Sequence, residues 1–258
     1  MTYFILIGIV SLLASLLTFF SGFGLGTLLL PVFALFFKLP IAVGLTAIVH
    51  FLNNIFKFLL IKKNINKSIL FKFASPAIPA AFLGSALLMY IGNKEPLYIY
   101  FIGDKECKIE IIKLTFSLLM IIFSLFEILP QLKKWSVDKK YLSVGGFLSG
   151  FFGGLSGHQG ALRSAFLIKS GLSKEEFVAT GIATACLVDI TRLGIYGFSS
   201  LHTDTFANLS ILTVASLCAF VGAYLGSKLL TKVTLGVVQN IVSILMFFTA
   251  ILIGMGII

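Results

Sequence analysis

Gly150-Phe-Phe-Gly-Gly-Leu-Ser-Gly-His-Gln-Gly-Ala-Leu-Arg163 sets five glycines, a serine, a histidine, a glutamine and an arginine inside an otherwise apolar chain. A buried polar or cationic side chain is costly unless it is paired or reaches water, so Arg163 does not belong on a lipid-facing surface. Irregular backbone at membrane depth is tolerated only where protein or a water-filled cavity surrounds it. Phe20-Ser-Gly-Phe-Gly-Leu-Gly-Thr27, about 135 residues earlier, is built the same way. The two stretches read as halves of one binding site, with the rest of the chain arranged to hold them.

The composition around them is that of an integral membrane protein. Of 258 residues, 58% are hydrophobic and only 12% charged, and the mean hydropathy is +1.06, far outside the range of soluble domains. No loop has room for a separate soluble catalytic or nucleic-acid-binding domain. The formal charge of +10 comes from Lys-rich loops and reads as a topology signal, with no nucleic-acid partner inferred. Cys107, Cys186 and Cys218 are widely spaced without any CxxC, and two lie in apolar segments, so they read as small packing residues. The N-terminus lacks the basic flank of a cleaved signal peptide and is expected to remain as the first helix. No HExxH, metal-spaced Cys/His set, P-loop or nucleophile elbow occurs, which argues against an ATPase or hydrolase. The expectation is no catalytic residue, no cofactor and no metal.

Tyr3 to Phe20 approaches the length of a span before the glycine run interrupts it. Leu28 to Phe37 then continues for about ten residues, too few to cross a core that needs about 20. The pattern favours a re-entrant helical hairpin with its tip at Ser21–Thr27, ended by Lys38-Leu-Pro40; two full helices are the alternative. Spans follow at Ile41–Ile61, which carries His50, Asn53, Asn54 and Lys57, and at Ile69–Ile91, where Pro76 and Pro79 predict a kink. Gly92–Glu110 reads as a mixed-charge loop, Ile111–Leu129 as a span and Pro130–Lys140 as a basic connector. Tyr141–Leu155 leads into the second tip and Ala161–Ile168 leads out of it, a second broken hairpin. After a loop at Lys169–Glu176 come spans at Phe177–Phe198, Thr205–Gly226 and Leu235–Ile257, with a turn at Ser199–Asp204.

Ala80-Ala-Phe-Leu-Gly-Ser-Ala-Leu-Leu88 matches Gly222-Ala-Tyr-Leu-Gly-Ser-Lys-Leu-Leu230 almost letter for letter. Ser21-Gly22 matches Ser156-Gly157, and Asn54-x-x-Lys57 falls opposite Asp189-x-x-Arg192. The order hairpin, span, span, span thus occurs twice, and the three crossings between hairpins make the copies enter the membrane from opposite sides. The expected fold is all-α, with inverted repeats at 1–129 and 141–258 joined by a basic cytoplasmic linker at 130–140. Inverted repeats with discontinuous helices mark secondary transporters, whose site lies near the midplane. The basic loops Lys62–Lys67, Lys133–Lys140 and Lys228/Lys232 belong inside and Gly92–Glu110 outside, which turns both termini outward. The small faces Gly222-x-x-x-Gly226 and Ala80-x-x-x-Gly84 allow close helix approach, read first as internal packing, with a homodimer as the other use.

At each tip the second half-helix begins, so its unpaired N–H groups and positive dipole end favour an anion. Gly22, Gly24 and Gly26 in the first tip, with Gly157 and Gly160 in the second, let a ligand approach the backbone. Ser21, Thr27 and Ser156 can add hydroxyl donors, or bond back to a helix carbonyl; His158 and Gln159 can add ring and amide donors. Arg163, in the first turn after the second tip, opposes the local dipole unless an anion sits between them, and is the first choice for a substrate contact. Arg192 lies one turn beyond Asp189 on the same face. The pair is either a packing ion pair or a relay, in which Asp189 takes up a proton and frees Arg192 for substrate. Lys57, near the cytoplasmic loop, is expected to snorkel. Asn53 and Asn54 lie deeper and are site candidates, and His50 is a candidate proton carrier with His158.

The glycine-rich first tip with the following Pro31, the Gly-Gly-Leu-Ser-Gly-His-Gln-Gly of the second tip and the Leu-Gly-Ser repeats resemble the sulfite exporter TauE/SafE family of permeases, over nearly the whole chain. The resemblance implies a multi-pass permease of the inner (plasma) membrane that moves sulfite, organosulfonates or related sulfur-containing anions, coupled to an ion gradient of protons or sodium. The second half departs from the family's pattern, in which a further glycine cluster and a proline follow the tip. Ala161-Leu-Arg-Ser-Ala-Phe166 stands there instead, and its added charge raises the demand for a negative ligand. The expected function is therefore a secondary transporter for a small anion, working by alternating access, and not an enzyme. Its rivals are an anion channel and an intramembrane enzyme or assembly factor using His158 and Asp189.

Overall fold

The computed structural model describes residues 2–21, 24–133, 136–197, 208–228 and 236–258. Gly22, Lys134, Lys232 and the turn expected at Ser199–Asp204 lie outside the described residues, and Ser21 is described only as the backbone that ends the first helix. The chain is an all-α membrane protein. Among the described residues, five helices are long and apolar enough to cross a membrane: Leu39–Asn64, Lys67–Gly92, Ile111–Ile128, Lys174–Tyr196 and Leu209–Lys228.

The first hairpin pairs α1 (Thr2–Ser21) with the shorter α2 (Leu25–Ala34). The Tyr3 ring lies 5.9 Å from that of Phe36 and 6.5 Å from that of Phe37, so the chain returns to the end from which it set out. The next helix, α3 (Leu39–Ile61), starts two residues earlier than the sequence suggests. Pro40 sits in its first turn, where no intrahelical N–H bond is required of it. Asn66 caps α4 (Lys67–Gly92) by accepting from the Ile69 N–H at 3.1 Å. α4 runs as one helix through Pro76 and Pro79. The carbonyl of Lys72, which loses its partner to Pro76, accepts instead from Ser143 Oγ at 3.4 Å.

The loop expected at Gly92–Glu110 holds a two-stranded antiparallel hairpin, β1 (Tyr98–Ile102) and β2 (Lys105–Ile109), in which Ile102 pairs with Lys105 across Gly103 at φ 60°. Aromatic and β-branched residues followed by a glycine-containing two-residue turn explain it. Tyr100 donates its hydroxyl to the Met255 carbonyl at 2.6 Å and so ties the hairpin to the end of the last helix. After α5 (Ile111–Ile128) the second broken hairpin comprises α6 (Leu142–Ser156) and α7 (Gly160–Leu167). α8 (Lys174–Gly197) starts three residues before the expected Phe177. Ser173 and Glu176 form a reciprocal cap: Glu176 N–H donates to Ser173 Oγ at 3.2 Å, and Ser173 N–H to Glu176 Oε2 at 2.9 Å. α9 (Leu209–Lys228) and α10 (Gly236–Gly254) complete the bundle.

Glycines decide which helices lie side by side. A Cβ added at Gly146, Gly150 or Gly154 of α6 would collide with the carbonyls of Phe73, Ala77 and Ala81 of α4, so the two backbones touch along three successive turns. Gly222 of α9 meets the Leu12 carbonyl of α1 in the same way, and a Cβ at Gly226 would stand 3.0 Å from Leu16 O. The Gly222 and Gly226 face is thus spent inside the bundle. The base of the second hairpin closes where Val137 N–H donates to Ala165 O at 3.0 Å, and its residues Leu142, Phe166 and Leu167 cluster with Phe73, early in α4. The first hairpin closes at the start of α3 and the second beside the helix that follows the end of α3, so the two enter from opposite ends of it. Their tips meet: a Cβ on Gly26 would lie 3.8 Å from Gly157 O.

Candidate functional site

Asp189, two thirds of the way along α8, is the hub. Its carboxylate is completely buried and takes four donors from three elements. Oδ1 accepts from Arg192 Nη2 at 2.9 Å and from Gln159 Nε2 at 3.2 Å. Oδ2 accepts from His50 Nδ1 at 2.6 Å and from Asn54 Nδ2 at 3.1 Å. Four donors match the lone-pair capacity of a carboxylate, which makes this a satisfied buried charge rather than a stranded one. The spacing is helical on each side: His50 and Asn54 are one turn apart on α3, and Asp189 and Arg192 are one turn apart on α8.

The second tip is fitted to this hub. Gly157 caps α6 in the left-handed region, at φ 80° and ψ −3°, with its N–H on Gly153 O at 2.9 Å. A Cβ there would lie 2.7 Å from Arg192 Nη1, so Gly157 provides both the turn and the room for the guanidinium. Gln159 then bridges outward: its Oε1 accepts from Arg163 Nη1 at 3.3 Å while its Nε2 holds Asp189. The first tip reaches the same hub through His50, since a Cβ on Gly24 would lie 3.2 Å from His50 Nε2.

Beside the hub lies a narrow cleft of about 20 Å³. Thr18 and Phe19 of α1, Gly24 and Leu25 of the first tip, and His50, Asn54 and Lys57 of α3 line one side. Arg163, Ser164 and Leu167 of α7, with Phe177, Val178, Gly181 and Ile182 of α8, line the other. It therefore lies toward the end of the bundle that carries the Lys62–Asn66 turn. Its described lining contains two cations, Lys57 and Arg163, and an imidazole, but no carboxylate. Gly181 gives Arg163 its space, with Nε 3.3 Å from where a Cβ would stand.

Of the residues singled out in the sequence, Gly24, His50, Asn54 and Arg163 line this cleft. Asp189, Arg192 and Gln159 stand behind it as the buried network. Thr27 donates to Gly24 O at 2.5 Å and Ser156 to Phe152 O at 3.1 Å, so both hydroxyls bond back to backbone carbonyls. Gly26 and Gly157 form the contact between the tips, and Gly160 opens α7. His158 stacks flat on Phe123, with ring centroids 5.4 Å apart, and its Nδ1 faces Ser156 Oγ at 3.1 Å. Asn53 turns away from the cleft, toward Ser15 Oγ at 2.9 Å; with its amide oriented to satisfy both ends it donates to Ala219 O at 3.2 Å and accepts from Lys57 Nζ at 3.3 Å.

Lys57 is the residue that sequence reasoning left out of the site. It does not snorkel: it is 2% exposed, donates to Thr18 Oγ1 at 3.2 Å and lies over the Phe19 ring at 5.5 Å. The usable signal was its position opposite Arg192 in the repeated pattern. Among the described residues no group of three His, Cys, Asp or Glu side chains is arranged to hold a metal ion.

A model of the family described as Sulfite exporter TauE/SafE matches residues 7–253 of the chain. No curated protein and no solved structure matches.

Proposed function

We propose that this chain, which belongs to the sulfite exporter TauE/SafE family, is a secondary transporter that carries a small sulfur oxyanion through the cleft beside Asp189 by alternating access. The family implies a membrane permease for sulfite or a related sulfur-containing anion. The observation that carries the reading to this site is the cleft lining, in which Lys57, Arg163 and His50 converge and whose described residues include no carboxylate, Asp189 standing behind His50. Two buried cations brought to one cleft favour an anion there, and a planar guanidinium with an ammonium suits an oxyanion of sulfur. The two broken hairpins meeting at Gly26 and Gly157 are the arrangement expected at the midplane of a transporter with inverted halves. We assign those halves to 1–129 and 141–258, joined by the basic linker 130–140, and the protein to the inner (plasma) membrane with its Lys62–Lys67 loop inside.

The test is uptake into liposomes holding the purified protein, with labelled sulfite, sulfate, thiosulfate, an organosulfonate and a carboxylate offered in turn. The expected result is saturable uptake of a sulfur oxyanion that is accelerated by the same anion preloaded inside, and its loss in Arg163→Ala. Countertransport absent while single-channel currents are present would make the protein a channel. No flux of any anion would end the transporter reading.

A further inference from the structure

The imidazole of His50 stands between the buried carboxylate and the cleft, and this position has a chemical use. We propose that a proton travels with each transported anion, carried on His50 Nε2 while Asp189 stays a fixed charge; the inference rests on the cleft being the anion site. Asp189 has both oxygens occupied by donors from His50, Asn54, Gln159 and Arg192. That leaves its carboxylate no lone pair for an added proton or for a sodium ion. With Asp189 ionised, the 2.6 Å contact needs the hydrogen on His50 Nδ1, directed at Asp189 Oδ2, so Nε2 is the ring position left to gain and lose one. His50 lines the cleft, its Nε2 faces the first tip at Gly24, and the Asn54 amide nitrogen is 3.3 Å away.

The charges facing the ring decide when that proton binds. From α8 come Asp189 and Arg192, whose Nη2 is 3.5 Å from Nδ1; from α7 comes Arg163 across the cleft, and from α3 itself Lys57. From the described residues of the first tip, Gly24 brings its backbone against Nε2. With the cleft empty, three cations among the described residues, Arg192, Arg163 and Lys57, face the one carboxylate of Asp189, and a further positive charge on Nε2 is opposed. An anion seated between Lys57 and Arg163 reverses that balance, so anion and proton bind cooperatively, each raising the affinity for the other by the same factor. The proton enters from cleft water onto Nε2, Nδ1–H stays on Asp189, and Nε2 releases the proton as the anion leaves.

Liposomes containing the full chain and the pH dye pyranine, with the membrane potential clamped by valinomycin and potassium, test this with thiosulfate and isethionate. Both probes keep a fixed charge across the assay range, so any pH change inside is carried by the protein. Anion entry is expected to acidify the lumen, and a proton ratio of about tenfold across the membrane should hold an anion ratio of about tenfold at zero potential if one proton accompanies each anion. His50→Gln should lose both effects and retain only slower, pH-independent anion exchange; His50→Asn repeats the measurement if the first variant is not monodisperse. Wild-type anion entry without acidification, or a His50→Gln protein that still acidifies, overturns the inference while the transporter reading stands. Absence of flux for both probes overturns both. The wild-type measurement decides without either variant.

Discussion

Replacing Gly157 by alanine tests the tip and the buried network in one step, and Gly171 supplies the control. Both glycines are left-handed, at φ 80° and φ 82°. Alanine in that region costs about 1–2 kcal/mol at either position. Beyond that shared penalty the surroundings differ: nothing lies within 4 Å of a Cβ at Gly171, whereas one at Gly157 comes to 2.7 Å from Arg192 Nη1. To regain ordinary contact at 3.4 Å the guanidinium must retreat by about 0.7 Å. Its bond to Asp189 is 2.9 Å long, and a shift of that size in the wrong direction takes it past hydrogen-bonding range. Breaking a buried pair outright costs about 3–5 kcal/mol; with partial relaxation, Gly157→Ala should lose about 2 kcal/mol more than Gly171→Ala. Apparent melting in detergent, followed on both variants at matched protein concentration, should rank wild type above Gly171→Ala above Gly157→Ala. Anion uptake should survive only in Gly171→Ala. Equal melting losses with transport intact in both would show that Gly157 is not shaped around Arg192.

Three other substitutions probe separate layers. Lys57→Ala removes one of the two cations of the cleft and should weaken anion affinity about 10-fold or more with melting little changed; unaltered half-saturation would return Lys57 to a packing role. Gly154→Val places a branched side chain against the Ala81 carbonyl, and the overpacking should cost about 1–3 kcal/mol or prevent folding, read by yield and melting midpoint. Single cysteines at Asn64 and Asp104 should react with impermeant maleimide from opposite faces, Asn64→Cys from the cytoplasm; labelling of both from one face would refute the topology.

Much of the bundle was legible because membrane helices announce themselves by length: the apolar runs and the two glycine breaks are one-dimensional signals. Arg163 and Asp189 were legible for a related reason, since an ionised group in an apolar run must be explained. What a single chain does not encode locally is the partner of each group. Lys57 sits near a helix end, and by its own segment it should reach for water. Its burial follows from α1 reaching far enough along α3 to bring Thr18 and Phe19 alongside. Thr27 and Ser156 are polar in the right places, yet their nearest acceptor is their own backbone. The β-hairpin at Tyr98–Ile109 was missed because charge dominated the reading of that loop, although its alternation and Gly103 were visible.

The glycine contacts carry a mechanical consequence. α6, the long arm of the second hairpin, touches the backbone of α4 from the first half of the sequence, while α1, the long arm of the first hairpin, touches α9 from the second. Backbones locked at that distance do not slide, so a rocking movement would carry α4 with α6 and α1 with α9. The rigid pieces of such a movement would then be chimeras of the two halves, and its pivots would fall on chain segments that join one chimera to the other, such as the short turn after α3.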